Sequence, residues 1–581
     1  MMQNRIRILF SVYLVLTVLV LGRLFYWQIV VASSLEQAAS LQHTEETTIS
    51  PERGEIITRD GFPLVFNEQR YNLNAYVPNL SSSGVALVDQ LLPHMTFEIE
   101  DPVLATDSAR APQEIERLKA ETRTALLERL NTRTWTPLAK NLSVEQKEAI
   151  ESLGISGITF DEYFVRHYPE ASMSAHTLGF VGRNEIGEPT GYFGLEGYYD
   201  RELTGASGLV KQEKDALGRP LLTGSFREVI GRDGRDLTLN LIRGVEFIAE
   251  EELNNALEKY GASSGEVVIM DPRTGSVLAL ASLPAYDPAK YWKYETQLYK
   301  NPTIANTYEP GSTFKVLVMA AALNENAIDI KDTCDICDGP LEIDKYTIKT
   351  WDGKYVAGRT PEDIIVHSDN IGMVWTARKL TGEKLVDYIK KFGFGEKTGI
   401  DLQEEVSAPL RKKWGEIDYA TASFGQGIAV TSIQMLRAVG AIANGGKLVT
   451  PRIVAQVSGE ETIELSPTAT SQVISEETAK KITEMMVKAV EQGEAKWTRI
   501  KGYKIAGKTG TAQIPVAGHY DSDKTIASFV GYAPADDPRF VMLVKLREPT
   551  SSPWGSETAA PLWFDIARRL FVALNIPQDG N

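Results

Sequence analysis

Three short strings hold the residue types of a serine nucleophile activated by an amine: Ser312-Thr313-Phe314-Lys315, Ser368-Asp369-Asn370 and Lys508-Thr509-Gly510-Thr511. On a helix, a serine followed three residues later by a lysine places a hydroxyl and an amine on one face, one turn apart. The amine can then take the hydroxyl's proton. Ser312 and Lys315 stand in that relation, and the apolar run 316–323 behind them predicts a buried helix entered at Pro310-Gly311. Ser312 would lie at the positive end of that helix, where a free N–H and the dipole favour a developing oxyanion. A Ser-x-x-Lys string alone says little, since about two are expected by chance in a chain this long. Lys315 must be neutral to act as base. Its pKa has to fall from about 10.4 through burial or a neighbouring cation, and Lys508 is the candidate cation.

Each string needs an element to aim it. Residues 360–367 predict a helix ending in a loop that turns Ser368 inward. His367 beside it invites a Ser-His-Asp reading. With a lysine already placed as base, it is assigned instead to packing or solvent. Residues 503–506 predict a strand leading into Lys508. Gly510, lacking a side chain, would let a substrate peptide approach as an added strand. The charge of Lys508 and the hydroxyls of Thr509 and Thr511 suit a terminal carboxylate. The β-rich runs 265–270 and 276–281 flank a turn, as do 528–533 and 540–546. These hairpin signals predict an antiparallel sheet, and a helix over about 560–574, with Arg568 and Arg569 outward, would close one face of it.

The 581 residues, 43% hydrophobic and 24% charged, suffice for two or three domains. A net charge of −16 opposes nucleic-acid binding. Residues 8–22 are uncharged and apolar, follow Arg5 and Arg7, and continue through Leu24–Val31, predicting a membrane span with the N-terminus inside. Arg23 within it is read as snorkelling to the outer interface beside Tyr26 and Trp27, with a partner contact as the alternative. Val30-Val31-Ala32 is compatible with signal-peptide cleavage, but the long apolar stretch favours a retained anchor. Cys334 and Cys337, the only cysteines, could form a local disulfide, a redox dithiol or plain thiols. No further ligands stand at zinc spacing, so no metal is assigned.

Between anchor and chemistry, 53–61 and about 63–66 predict a hairpin over Asp60-Gly61. Residues 112–130 predict an amphipathic helix, and Ser143 with Gln146 a capping box ahead of a helix stopped by Gly154. His176 and Glu196 are read as structural. Residues 236–240 and the acidic stretch after them predict the first strand and helix of the catalytic domain. Phe424-Gly-Gln-Gly427 and the capped stretch from Thr431 to Gly446 are read as scaffold.

The three strings, in this order, resemble the signature shared by β-lactamases and penicillin-binding proteins. Together with Arg53-Gly-Glu-Ile-Ile-Thr-Arg-Asp-Gly61, in which Thr58-Arg59-Asp60 departs from the usual Asp-Arg order, they make the chain resemble a class B penicillin-binding protein from Arg53 to about Pro561. The resemblance implies an α+β fold: a serine β-lactamase/transpeptidase-like domain (an antiparallel sheet flanked by helices) on a mixed α/β non-catalytic pedestal, with an N-terminal transmembrane helix. The expected domains are anchor 1–33, pedestal 34–235 and transpeptidase 236–581. Carried over by motif, Ser312 is the acylated nucleophile and Lys315 its base. Ser368 relays a proton, Asn370 holds the lysine and the substrate backbone, and Lys508, Thr509, Gly510 and Thr511 receive the D-Ala-D-Ala carboxylate. The N–H groups of Ser312 and Thr511 form the oxyanion hole. The implied partners are peptidoglycan stem peptides, β-lactams, and a membrane glycan polymerase with division-complex proteins met through the anchor and pedestal. No cofactor is implied. A division role is favoured over elongation, and a β-lactam sensor or hydrolase and a non-catalytic scaffold are the other classes weighed.

Overall fold

The computed structural model describes residues 2–99, 104, 107–213, 226–466, 468–516 and 519–579. The chain divides into two compact units, Met1–Gly54 with Thr204–Arg235, and Glu55–Leu203 with Asp236–Asn581. In the first, the helix Met2–Phe25 widens into a π turn over Tyr26–Val30, and the whole is long and apolar enough to cross a membrane. The Arg23 guanidinium lies 4.9 Å from the Trp27 ring centre and 5.4 Å from that of Tyr26, the aromatic company expected of an interfacial arginine. Strands Thr44–Ile49, Gly208–Glu213 and Phe226–Val229 make a small antiparallel sheet in the same unit.

In the second unit the strands β1 (Ser264–Met270), β2 (Val277–Leu283), β3 (Ala506–Val516), β4 (His519–Ala533) and β5 (Phe540–Arg547) form an antiparallel sheet in the order β2-β1-β5-β4-β3. Both expected hairpins are present. Side chains alternate across this sheet, so Val267 and Ile269 of β1 pack into one core while Val268 and Met270 pack into another. Helices α1 (Arg243–Tyr260) and α7 (Ala559–Ala573) cover the first face, and Arg569 ties them by pairing with Glu251 and Glu252 at 2.6 and 2.7 Å. On the other face lies α5 (Ser432–Ala443), started by a capping box between Thr431 and Gln434. This double cover is why β1, β2 and β5 read as nearly unbroken apolar runs.

The pedestal sheet departs from expectation at two points. The strand predicted to end near Phe66 runs over Pro63–Tyr76, because Trp135–Leu142 and Ile158–His167 both pair with it. Its polar middle, 67–70, hides the continuation, with Gln69 bonded across to Glu162 at 2.6 Å. Residues Asp236–Leu239, expected as the first strand of the catalytic domain, join this sheet between Ile56–Ile57, which runs parallel, and Val454–Ser458, which runs antiparallel. Four residues of alternating burial cannot say which sheet they join.

Other local expectations match the described structure. The amphipathic helix spans Ala111–Thr132 and buries Leu126 and Leu130, and Ser143 and Gln146 form a capping box, with Gly154 in the left-handed region at φ +64°. Glu196 is paired with buried Arg166 at 2.8 Å, while burial pushes the His176 imidazole down to about 4, leaving it neutral against Tyr286. Cys334 and Cys337 are joined by a disulfide.

Candidate active site

Ser312 sits in a 3₁₀ turn, Gly311–Phe314, that runs directly into helix α2 (Lys315–Asn324). The α-helix proper therefore starts at the lysine and not at the serine. The turn begins at Gly311, whose φ of +57° excludes most side chains and whose N–H donates to Gly425 O at 3.1 Å. A Cβ on Gly425 would lie 2.2 Å from Gly311 O. The 424–427 string thus packs directly beneath the Ser312 turn through its Gly425.

Lys315 is fully buried. Its Nζ donates to Ser368 O at 2.6 Å, to Asn370 Oδ1 at 2.7 Å and to Ser368 Oγ at 3.2 Å. All three partners are uncharged. Burial first, and the charge of Lys508 second, push this amine down to about 7, with Glu494 and Asp369 opposing. The expected influence of Lys508 is present, but desolvation is the larger cause.

The Ser368 loop follows helix α3 (Pro361–Val366), and α4 (Asn370–Leu380) begins immediately after it. Ser368 has φ +57°, a left-handed conformation that turns its side chain inward to 2% exposure. Buried Asp369 fixes the loop by accepting from the N–H groups of Ile371 and Gly372 at 2.9 and 3.0 Å and by pairing with Arg359 at 3.1 Å. The disulfide loop supports Arg359 in turn, through Cys334 N donating to Arg359 O at 2.9 Å. Asn370 Nδ2 donates to Lys349 O at 2.9 Å, which leaves its Oδ1 facing Lys315. His367 is exposed.

Lys508, Thr509, Gly510 and Thr511 lie within β3, at the edge of the sheet, rather than after a strand. Burial lowers the pKa of Lys508 below its ordinary value, and its Nζ donates to Thr509 Oγ1 at 3.1 Å and Thr509 O at 3.3 Å. The space a Cβ on Gly510 would need is filled by Ser528 Oγ at 2.5 Å, Thr313 Cγ2 at 2.8 Å and Pro310 O at 3.1 Å. The missing side chain thus makes room for the Ser528 hydroxyl and for Thr313 and Pro310 of the segment that carries Ser312. This contact seats Ser312 against β3.

Ser312, Ser368, Asn370, Thr509 and Thr511 line a single cleft. The buried amines of Lys315 and Lys508 join it through the hydrogen bonds just given. The other lining residues are Gly311, Phe424 and Gln426, from strings already singled out in the sequence, and Trp351, Trp554 and Glu494, which carried no motif signal. The two tryptophan rings meet edge to face at 5.5 Å. Exposed tryptophans in loops between predicted elements were the one available hint. Glu494 gave none.

Comparison with known proteins agrees with this geometry. Residues 265–571 match the penicillin binding protein transpeptidase domain and residues 48–239 the penicillin-binding protein dimerisation domain. The chain belongs to the penicillin-binding proteins, and the pairing of these two domains makes it a class B member. Stage V sporulation protein D of Bacillus subtilis is 35% identical over 96% of this chain and 84% of its own length. The peptidoglycan D,D-transpeptidase FtsI of Escherichia coli is 28% identical over 96% and 90%. Among solved structures, penicillin binding protein 2X of Streptococcus thermophilus superimposes with a TM-score of 0.74 at 23% identity, covering 92% of this chain and 80% of that one. A peptidoglycan synthetase of Bifidobacterium adolescentis gives 0.71 at 25%, covering 93% and 98%.

Proposed function

We propose that this protein is a membrane-anchored peptidoglycan D,D-transpeptidase with Ser312 as its nucleophile. The observation that carries the reading is the set of partners around Lys315. An ammonium would donate to all three oxygens, whereas a neutral amine has two protons and a lone pair. Of the three partners only Ser368 Oγ carries a proton of its own, so it alone can exchange one with the amine. Lys315 thus suits the base that takes the Ser312 proton, and Ser368 the group that passes it on.

Ser312 Oγ attacks the carbonyl of the penultimate D-Ala, and the N–H groups of Ser312 and Thr511 receive the oxyanion. The C–N bond to the terminal D-Ala breaks, and its nitrogen takes the proton held by Lys315 through Ser368. The amine of a neighbouring stem peptide then attacks the ester, returns a proton by the same route, and frees Ser312. Asn370 holds Lys315, while Lys508 and Thr511 suit the substrate's terminal carboxylate. A β-lactam enters the first half of this sequence and stays attached. FtsI and PenA relatives, named as peptidoglycan D,D-transpeptidases, support the assignment.

The helix over Met2–Val30 serves as the anchor, with the N-terminus in the cytoplasm and the catalytic cleft outside. A membrane glycan polymerase and division proteins are the partners of that segment and the pedestal. A division role is supported by the FtsI relative, and the Bacillus subtilis relative, named for sporulation, supports wall synthesis in that setting as a second reading. Mass spectrometry of penicillin-treated protein tests the reaction: one drug mass should add to the unaltered chain and none to Ser312→Ala. Rapid loss of the adduct would favour a hydrolase, and no adduct at all a scaffold. A fluorescent fusion found along the sidewall would overturn the division role.

A further inference from the structure

Lys315 and Lys508 are two buried ammonium-forming groups beside one cleft, and Glu494 is the carboxylate among the residues that line it. The chain leaves helix α6 (Glu476–Gln492) through Gly493, where a Cβ would lie 2.3 Å from Ala489 O and 2.9 Å from Val366 O. Only glycine lets the backbone turn this close to the loop that carries Ser368, and the turn delivers Glu494 to the cleft. Thr509 Oγ1 donates to Glu494 Oε2 at 3.0 Å and accepts from Lys508 Nζ at 3.1 Å. A hydroxyl has one proton. Given to Glu494, that of Thr509 is withheld from a substrate carboxylate, and its lone pair faces Lys508. Thr511 is arranged the other way. Its Oγ1 accepts from Gly555 N at 2.9 Å, which leaves its proton free to donate into the cleft.

We propose that Glu494 is a positioning residue of the acyl-transfer reaction. Through Thr509 it holds Lys508 charged, its own charge also reaches Lys315, and it leaves Thr511 as the hydroxyl that meets the substrate's carboxylate. The inference rests on the transpeptidase reading above. Burial lowers both amines, and Glu494 opposes that fall at each of them. The other charged group acting on Lys315, besides Lys508, is Asp369, which is itself paired with Arg359. Without the carboxylate both amines would release their protons at lower pH.

The test is the pH profile of the second-order rate of labelling by a fluorescent penicillin, measured from pH 5.5 to 10 on the full chain in detergent micelles. The acid limb reports Lys315 losing its proton, and the basic limb reports Lys508 losing its charge. In Glu494→Gln both limbs should move to lower pH. Labelling then rises below the optimum and falls above it, by about three- to ten-fold on each side, the change that a half-unit to one-unit displacement produces. Glu494→Asp should move partway in the same direction, and it carries the test if Glu494→Gln loses its cooperative melt. General damage does not raise a rate at acid pH. An unmoved profile, or an even loss across the range, would overturn the proposal. If the unaltered chain takes no label, the transpeptidase reading fails and this one with it.

Discussion

Lys315 and Lys545 are both buried in the catalytic domain, 0% and 6% exposed, yet they are supported in opposite ways. Lys545 on β5 meets a full negative charge, Glu266 Oε1 at 2.7 Å, and lies 4.3 Å from the Tyr308 ring centre, while Ser432 donates to the other oxygen of Glu266. Lys315 meets three neutral oxygens and feels the charge of a second amine, Lys508. A carboxylate in contact keeps an ammonium charged and makes it a brace. Dipoles without a contacting countercharge leave the proton negotiable, which is what a base requires. One domain thus holds a lysine placed as a brace and one placed to react, and the difference lies in the partner rather than in the depth of burial.

Exchanging each lysine for methionine should break the comparison most visibly. Lys315→Met removes the proposed base and should slow penicillin acylation by about 10²- to 10⁴-fold, read by stopped-flow labelling. Lys545→Met leaves Glu266 buried without its cation and should cost about 3–5 kcal/mol of stability, read by denaturant unfolding, with labelling per folded molecule retained. The reverse pattern would show that the two roles have been misassigned.

The pH dependence of the same variants sharpens the contrast. The folded-state pKa of Lys315, about 7, lies below its unfolded value, so between the two the unfolded chain binds more protons and stability rises with pH. Its burial penalty is felt fully below pH 7 and is relieved by pH 10. Lys315→Met should therefore raise the melting temperature more at pH 6 than at pH 10, and in the unaltered chain the acylation rate should fall about tenfold per pH unit below 7. A smaller effect is expected at the carboxylate end. Thr511→Val strands the Gly555 N–H and removes the outward donor, which should weaken labelling by a carboxylate-bearing penicillin about tenfold, a loss of 1–2 kcal/mol. The smallest is His367→Ala, which should change labelling less than about twofold because the imidazole is exposed and Lys315 is the proposed base; a large loss would revive the histidine reading.

The residues that approach through motifs were legible in the sequence because their spacing is local: one helical turn for Ser312 and Lys315, one loop for Ser368 and Asn370, one strand for Lys508 to Thr511. Capping pairs such as Ser143 with Gln146 and stop glycines such as Gly154 were legible for the same reason. What stayed hidden depends on chain segments far apart in sequence. Glu494 lies fourteen positions before Lys508 with no pattern around it, and it enters the cleft only because Gly493 passes close to Val366. Gly510 announced a close approach but not its occupant. The strand Asp236–Leu239 announced itself but not its neighbours.

That strand has a practical consequence. Its flanks are Ile56–Ile57 from one matched domain and Val454–Ser458 from the other, so a polypeptide cut to begin at residue 236 would carry a raw hydrogen-bonding edge where the severed ribbon had been. Such edges recruit other chains and precipitate. The smallest fragment of this protein that stays in solution with a working serine must retain its pedestal, even for chemistry the pedestal never touches.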